Sequence, residues 1–260
     1  MNLGDLLKDI DERTEEVGLA IDADSLLYLS AYTYRNKWDI ELAYFEFAGR
    51  VKTIERECYK KALHLKDTVL CFTAKTNFRY ELYPSYKAHR SSTDEEQNLL
   101  KQRVVELKKL VYDRARAMCK ASNIVEADDL VIMYANKGYL VSAIDKDVVN
   151  QCPTDCFNFK KYEWNEGLNE ETIKKNILIQ SIMGDSSDGF NFVNGYGKVK
   201  ATKFIDDLLA GRYSMDEYIN LFATPEDCLL SNRLCNMHQY KDNKLTLVTM
   251  QDIFDMVSPF

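Results

Sequence analysis

Short apolar runs that end in acid alternate along this chain with longer stretches whose apolar residues recur every three or four positions. The first run, VGLAID at 17–22, has the unbroken apolar character of a strand covered on both faces, and it ends on Asp22. DTVLCFT at 67–73 repeats the pattern, and YLVSAI at 139–144 leads directly into Asp145-Lys146-Asp147. Weaker strands fall at 156–159 and 162–164. The intervening period of 3.6 predicts helices over 25–34, 41–65, 95–119, 124–134 and 168–183, then over 201–210, 215–222 and 225–236. The helix over 95–119 is charged, with an apolar stripe of Leu99, Leu100, Val104, Leu107, Leu110 and Val111. Residues 1–16 read as a capping helix or a loose arm, and the alternating KLTLVTM near the C-terminus is left unassigned. Strands alternating with helices predict an α/β fold with a mostly parallel central sheet. Sites in such sheets gather at the carboxyl ends of strands, and two of the three strong strands end in aspartates, Asp22 and Asp145.

With 260 residues, 46% of them apolar, and four prolines, the chain is long enough and apolar enough to bury a proper core. No run reaches the length of a membrane helix, and the acidic N-terminus lacks the order of a signal peptide. The expectation is a soluble cytoplasmic protein with no membrane partner, placed in the host cytoplasm if it is phage-encoded. Seven scattered cysteines without a C-x-x-C, together with only three histidines, speak against zinc and for reduced thiols. A net charge of −7 argues against a nucleic-acid partner until its distribution is considered. From Lys75 to Lys120 there are 11 Lys and Arg against 6 Asp and Glu, so a basic face beside an acidic pocket is compatible with the total.

Four acid groups stand out: Asp22 with Asp24; Glu126, Asp128 and Asp129; Asp145 and Asp147; Asp185 and Asp188. Any one of them could be a helix cap. On a helix Glu126 and Asp129 share a face, with Asp128 reaching an adjacent direction. Asp22 and Asp24 share a face of an extended segment, as do Asp145 and Asp147. Asp185 and Asp188 fit one turn of a helical start. Gathered at one sheet end, these charges would repel and raise each other's pKa values. Bound cations relieve that repulsion, and all-oxygen donors select Mg²⁺ or Mn²⁺. Two such ions about 4 Å apart suit phosphodiester hydrolysis.

KTNFRYELYPSYKAHRSST at 75–93 differs from its flanks and reads as an irregular or partly helical excursion. Its Arg79, Tyr83, Tyr86, Lys87, His89 and Arg90 alternate rings with cations, which suits stacked bases and paired phosphates. GDSSDGFNFVNGYGKVKATK at 184–203 sets Asp185 and Asp188 before glycines at 189, 195 and 197 and before Lys198, Lys200 and Lys203. Metal on one side and a phosphate backbone on the other is the reading this spacing supports.

FRYELYPSYKAHR, VEADDLV, SAIDKDVV and GDSSDGF…GYGKVKA, in this order, resemble the 5′ nuclease (flap endonuclease) superfamily, and within it the short bacteriophage 5′→3′ exonucleases. The likeness runs over about residues 19–209. Each motif alone is weak; the ordered set is specific. The resemblance implies a PIN-like core over 17–183 that includes a helical arch at about 75–120. A helix–hairpin–helix region of H3TH type and a C-terminal segment follow over 184–260. By motif position, Asp22, Glu126, Asp128, Asp129, Asp145, Asp147, Asp185 and Asp188 match the family's metal-binding acids. Lys87 and Arg90 match its YK-x-x-R pair, which stabilises charge on the scissile phosphate. Gly195, Gly197, Lys198, Lys200 and Lys203 match the hairpin that grips the duplex and holds a monovalent cation, here K⁺. Arg79, Tyr83 and Tyr86 are further candidates for DNA contact.

Two departures accompany the match. Thr73 stands where many members carry an aspartate after the second strand, and Asp24 is the candidate replacement. The hairpin reads NGYGKVKA in place of P-G-I-G-x-K-T-A, keeping the glycines and the second lysine. The implied function is metal-dependent 5′→3′ exonuclease or flap endonuclease activity on duplex DNA with a 5′ end, nick or flap, extending to RNA in RNA–DNA hybrids, in phage DNA replication and primer removal, by a monomer. The alternatives are a non-catalytic structure-specific DNA-binding protein on the same fold and, more distantly, a PIN-type ribonuclease.

Overall fold

The computed structural model describes residues 16–62, 64–90 and 94–257, so the arm expected over 1–16 lies outside the described residues except for Glu16, which opens a strand instead. β1 (Glu16–Asp22) feeds α1 (Ala23–Thr33) and α2 (Ile40–Ala62), and β2 (His64–Thr73) follows. A short helix α3 (Phe78–Leu82), a single 3₁₀ turn (Ala88–Arg90) and the long α4 (Glu95–Ala115) make up the excursion. β3 (Cys119–Ser122), α5 (Ala127–Ala135), β4 (Leu140–Ser142), α6 (Lys146–Val149), β5 (Cys156–Asn158) and β6 (Glu163–Asn165) complete the central layer. The six strands lie in the order β3-β2-β1-β4-β5-β6. β1 to β5 are parallel, and β6 returns antiparallel on β5.

The unbroken apolar character of β1 has its cause in this layering. Leu19 and Ile21 face a core shared with α1, α2 and α4, whereas Ala20 faces a second core beneath α5. All three are fully buried. β3 was not anticipated, because its sequence CKAS carries no apolar run and its Lys120 and Ala121 are exposed at the sheet edge. Its backbone pairing with β2 ends the preceding helix at Ala115, four residues before the boundary expected from periodicity.

Beyond the sheet come α7 (Glu170–Met183), α8 (Lys198–Leu209), α9 (Met215–Ile219), α10 (Pro225–Cys235), a hairpin of β7 (Tyr240–Lys241) and β8 (Lys244–Leu245), and α11 (Met250–Val257). The alternating tail thus resolves into β8 and a Thr249–Asp252 cap that opens α11. Leu178, Ile179 and Ile182 of α7 pack with Ala201, Ile205 and Leu208 of α8, so the expected division at 183/184 cuts through a shared core. All seven cysteines are buried and unpaired. Among the described residues no helix is long and apolar enough to cross a membrane.

Candidate active site

The carboxyl end of β1 delivers Asp22, which caps α1 by accepting from the Ser25 backbone N–H at 3.4 Å and from the Ser25 hydroxyl. Asp22 is 3% exposed. Burial, followed by the nearby Asp24 charge, lifts its carboxyl to about 6. Asp24 does not share its direction. Its Oδ2 accepts the Thr73 N–H at 2.8 Å, and the Lys108 ammonium of α4 lies 3.5 Å from its Oδ1. The Thr73 hydroxyl accepts the Ala127 N–H at 2.9 Å, at the start of α5. A helix-borne carboxylate therefore sits at the end of β2, where the strand itself ends in threonine.

α5 begins with a reciprocal cap between Glu126 and Asp129. The Asp129 Oδ2 accepts the Glu126 N–H at 2.9 Å. Arg79 forks onto Asp129 at 2.6 and 2.7 Å, while its Nε donates to the Leu234 carbonyl at 2.8 Å. Arg79 and Asp129 are 3% and 1% exposed. This corrects two expectations. Arg79 is a buried structural cation at the back of the cleft with almost no surface to offer DNA, and Asp129 turns to Arg79 instead of joining Glu126 at the cleft. Neutralising Asp129 stabilises the fold at this point because an unpaired buried charge would be costly.

Glu126, Asp128, Asp145, Asp147, Asp185 and Asp188 line one cleft opposite Lys87 and Arg90. Burial and the charges of Asp22 and Asp145 push Asp128 well above the ordinary carboxylate range. Asp145 caps α6 by accepting the Asp147 N–H at 2.8 Å, so this pair is arranged by a helix start and not by an extended segment. Burial and the adjacent Asp145 raise Asp147 to about 7. One oxygen of Asp147, Oδ1, is buried without a hydrogen-bond partner among the described residues. The other lies 3.5 Å from Gln180 Nε2.

Asp185 and Asp188 do not open a helix. They sit in a tight loop closed by the Asp185 N–H to the Phe190 carbonyl at 2.8 Å and by the Phe190 N–H to the Asp185 carbonyl at 3.0 Å. The reversal needs Gly184 at φ +67°, where an added Cβ would stand 2.4 Å from the Phe190 oxygen. Burial alone would raise Asp185, but the hydrogen bonds it accepts from Ser187 pull it below its ordinary value.

The arch cations reach across to these acids. Lys87, at φ 55°, donates its backbone N–H to the Asp188 carbonyl at 2.8 Å. Its ammonium donates to Glu126 at 2.6 Å, and Arg90 donates to Asp188 at 2.6 Å. Burial would raise Glu126, and the charges of Lys87 and Arg79 outweigh it and hold the carboxyl low. Asp188 stays raised, since burial there exceeds the pull of Lys87. Tyr86 corrects a further expectation. Only 1% exposed, it presents its hydroxyl to Glu126 at 2.8 Å and to Asp188 at 2.6 Å, so its ring is unavailable for stacking on a base. Tyr83 packs edge-on against Phe192 with ring centroids 5.7 Å apart. Asn77 was not anticipated at all, because nothing distinguishes it from a turn asparagine; its amide lies 3.2 Å from Glu126 Oε1.

At the hairpin, Gly195 takes φ +75° and Gly197 precedes α8, which starts three residues earlier than the periodicity indicated. Lys198, Lys200 and Lys203 are exposed, and the Lys200 ammonium lies 3.9 Å from the Tyr196 ring centroid.

The donor set fits hard divalent cations. It is all oxygen, four of its acids (Asp22, Asp128, Asp147 and Asp188) are raised by burial and crowding, and Asp147 Oδ1 is orphaned among the described residues. Among the described residues no three carboxylates yet close around one point. Lys87, Arg90 and backbone N–H groups hold them in the arrangement described.

A parallel sheet that gathers acids at its strand ends, faced by two arch cations, has the layout of a phosphodiester-cleaving enzyme. Residues 18–178 match the family described as 5′-3′ exonuclease, N-terminal resolvase-like domain. The chain belongs to this family. It is 27% identical over 206 residues to an exodeoxyribonuclease of Enterobacteria phage T3, covering 73% of this chain and 66% of the relative. It is 28% identical over 202 residues to a 5′-3′ exonuclease of Buchnera aphidicola subsp. Schizaphis graminum, covering 72% and 68%. The chain thus spans about two thirds of the length of these relatives. The fold is that of the bacteriophage T5 D15 protein crystallised with metal ions, at TM-score 0.66 and 18% identity, covering 84% of this chain and 89% of that one. It is similar also to the T5 D15 flap endonuclease in a pseudo-enzyme-product complex with DNA and metal ions, at TM-score 0.64 and 17% identity over 84% and 88%.

Proposed function

We propose that the protein hydrolyses phosphodiester bonds near 5′ ends of duplex DNA, as a 5′→3′ exonuclease and flap endonuclease, and also acts on RNA in RNA–DNA hybrids. The observation that carries this reading is the single cleft in which six carboxylates face Lys87 and Arg90. Asp22, Glu126 and Asp128 would hold one Mg²⁺ or Mn²⁺, and Asp145, Asp147, Asp185 and Asp188 a second. Such ions, when bound, supply an activated water and stabilise charge on the attacking and leaving oxygens. Asp129 acts through Glu126, whose backbone it holds. Asp24 brings negative charge to the end of β2 in place of an acid at Thr73, which weakens the case for a non-catalytic DNA-binding protein. Lys87 and Arg90 orient the scissile phosphate. Gly195, Gly197, Lys198, Lys200 and Lys203 grip the duplex backbone, with K⁺ at the hairpin. A monomer working in the cytoplasm, in phage DNA replication and primer removal, belongs to the same proposal.

The test is product mapping on 5′-labelled duplex, nicked, flapped and RNA–DNA hybrid substrates with Mg²⁺ or Mn²⁺. Absence of metal-dependent cleavage on all four would overturn it. Lys87→Ala should lower kcat on the order of 10²-fold while changing DNA affinity much less. Equal losses in both would remove its role at the transition state.

Metal affinity should depend on pH. Carboxylates must be deprotonated to bind a cation, and Asp22 and Asp147 still hold protons near pH 6 and 7. Calorimetric Mn²⁺ titration should show affinity falling as pH drops from about 8 to about 6. A flat profile would contradict the placement of these two acids at the metals.

A further inference from the structure

Three helices are tied to one residue, Thr73, at the end of β2. Each of its polar groups serves a different helix. Its N–H donates to the Asp24 carboxylate in the first turn of α1 at 2.8 Å. Its carbonyl accepts from the Lys108 ammonium of α4 at 2.5 Å, and that ammonium also stands 5.1 Å from the centroid of the Phe72 ring. Its hydroxyl accepts the Ala127 N–H, the first of α5, at 2.9 Å.

The hydroxyl bears most directly on the acids. The first N–H groups of a helix have no partner inside it. At α5 the reciprocal cap joins Glu126 and Asp129 and leaves the Ala127 N–H to Thr73. Both oxygens of Glu126 are engaged towards the cleft, Oε1 by Lys87 and Asn77 and Oε2 by Tyr86. Ala127 stands between Glu126 and Asp128, so the bond to Thr73 fastens the backbone one residue from each. Through its N–H the same threonine holds the helix start that Asp22 caps. The two starts are close enough for the Asp22 charge to act on Asp128. The bonds to Asp24 and Lys108 use the backbone of Thr73 and persist with any residue there; the bond to α5 needs the hydroxyl.

We propose that Thr73 is a positioning residue for the metal ion assigned above to Asp22, Glu126 and Asp128. Its hydroxyl keeps the start of α5 in register with the start of α1, so that carboxylates from two helices can converge on one ion. The proposal rests on the nuclease reading above. An acid at this position would offer the ion another oxygen; threonine acts through the backbone that carries the oxygens already there.

The experiment titrates Mn²⁺ into the metal-free protein by calorimetry at about pH 8, with thermal melts in EDTA to confirm folding. Wild type should bind in two steps, and Asp185→Asn identifies the step that belongs to Asp145, Asp147, Asp185 and Asp188. Thr73→Val keeps the shape of the side chain and removes the hydroxyl. It should weaken the other step on the order of 10-fold, the usual effect of losing a group that orients metal-binding side chains, and leave the Asp185-dependent step as in wild type. Thr73→Ser, which keeps the hydroxyl, should retain wild-type affinity in both steps. Lys109→Met, an exposed change on α4, should alter neither. Thr73→Ala carries the same expectation if Thr73→Val does not fold. Wild-type affinity without the hydroxyl, equal weakening of both steps, or a serine variant as weak as the valine variant overturns the positioning role and leaves the nuclease reading standing. A wild-type protein that binds no Mn²⁺ overturns both.

Discussion

Arg79→Met should remove about 3–5 kcal/mol of stability, the usual consequence of stripping one partner from a buried ion pair. The change leaves Asp129, 1% exposed, charged and facing apolar surface, and it leaves the Leu234 carbonyl without its donor. Against a typical total of about 5–15 kcal/mol this is a large share, and the thermal midpoint should fall by roughly 10 °C. Arg79 joins three elements, since α3 carries it, α5 carries Asp129 and α10 carries Leu234. Adding Asp129→Asn should restore part of the loss, because the orphaned charge disappears with it. A single variant within about 1 kcal/mol of wild type would show that the pair is not what holds α10 against the site.

Asp147→Asn should have opposite effects on activity and stability. Hydrolysis should fall on the order of 10³-fold, since a carboxylate that stabilises transition-state charge is lost. The metal-free fold should become more stable. The Asp147 carboxyl is raised to about 7 by burial and by Asp145, so between about pH 4 and 7 the folded state binds more protons than the unfolded state, and wild-type stability declines as pH rises through that window. Asparagine carries no such charge. Its advantage should be small near pH 4, grow towards pH 7 and be complete above it. Thermal melts in EDTA at pH 5 and pH 8 measure this directly. An advantage larger at pH 5 than at pH 8 would mean that Asp147 is not held high in the fold.

The layers of the fold were legible because burial on both faces leaves a continuous apolar mark. Leu19, Ala20 and Ile21 show it in β1, and Val69 to Phe72 show it in β2. β3 escaped because an edge strand of four residues needs only backbone pairing, which leaves no trace in CKAS. The acids were visible as residues but not in their directions. Spacing could not show that Asp24 turns to Thr73, that Asp129 is spoken for by Arg79, or that Asp185 and Asp188 sit in a loop that closes on Phe190. Those directions are set by partners 49 and 50 residues away for Asp24 and Asp129, and by the left-handed turn at Gly184 for the loop. Alternating rings and cations at 75–93 suggested a stacking surface. Tyr86 instead is buried and Tyr83, half-buried, packs on Phe192, because the turn that aims Lys87 at Glu126 needs anchors in the core. Composition can record that a segment holds aromatics and charges, but not which of the two faces solvent.

The seven buried thiols give the protein an internal clock. Cys58 and Cys119 belong to the core on one face of the sheet, and Cys71, Cys152 and Cys156 to the core on the other. Cys228 lies among the C-terminal helices, and Cys235 in the cluster with Tyr86. Cys58, Cys71, Cys152, Cys156 and Cys228 are at most 1% exposed, so a thiol reagent reaches them only through some opening of the structure, and the order in which they are modified ranks the cores by how often each one opens.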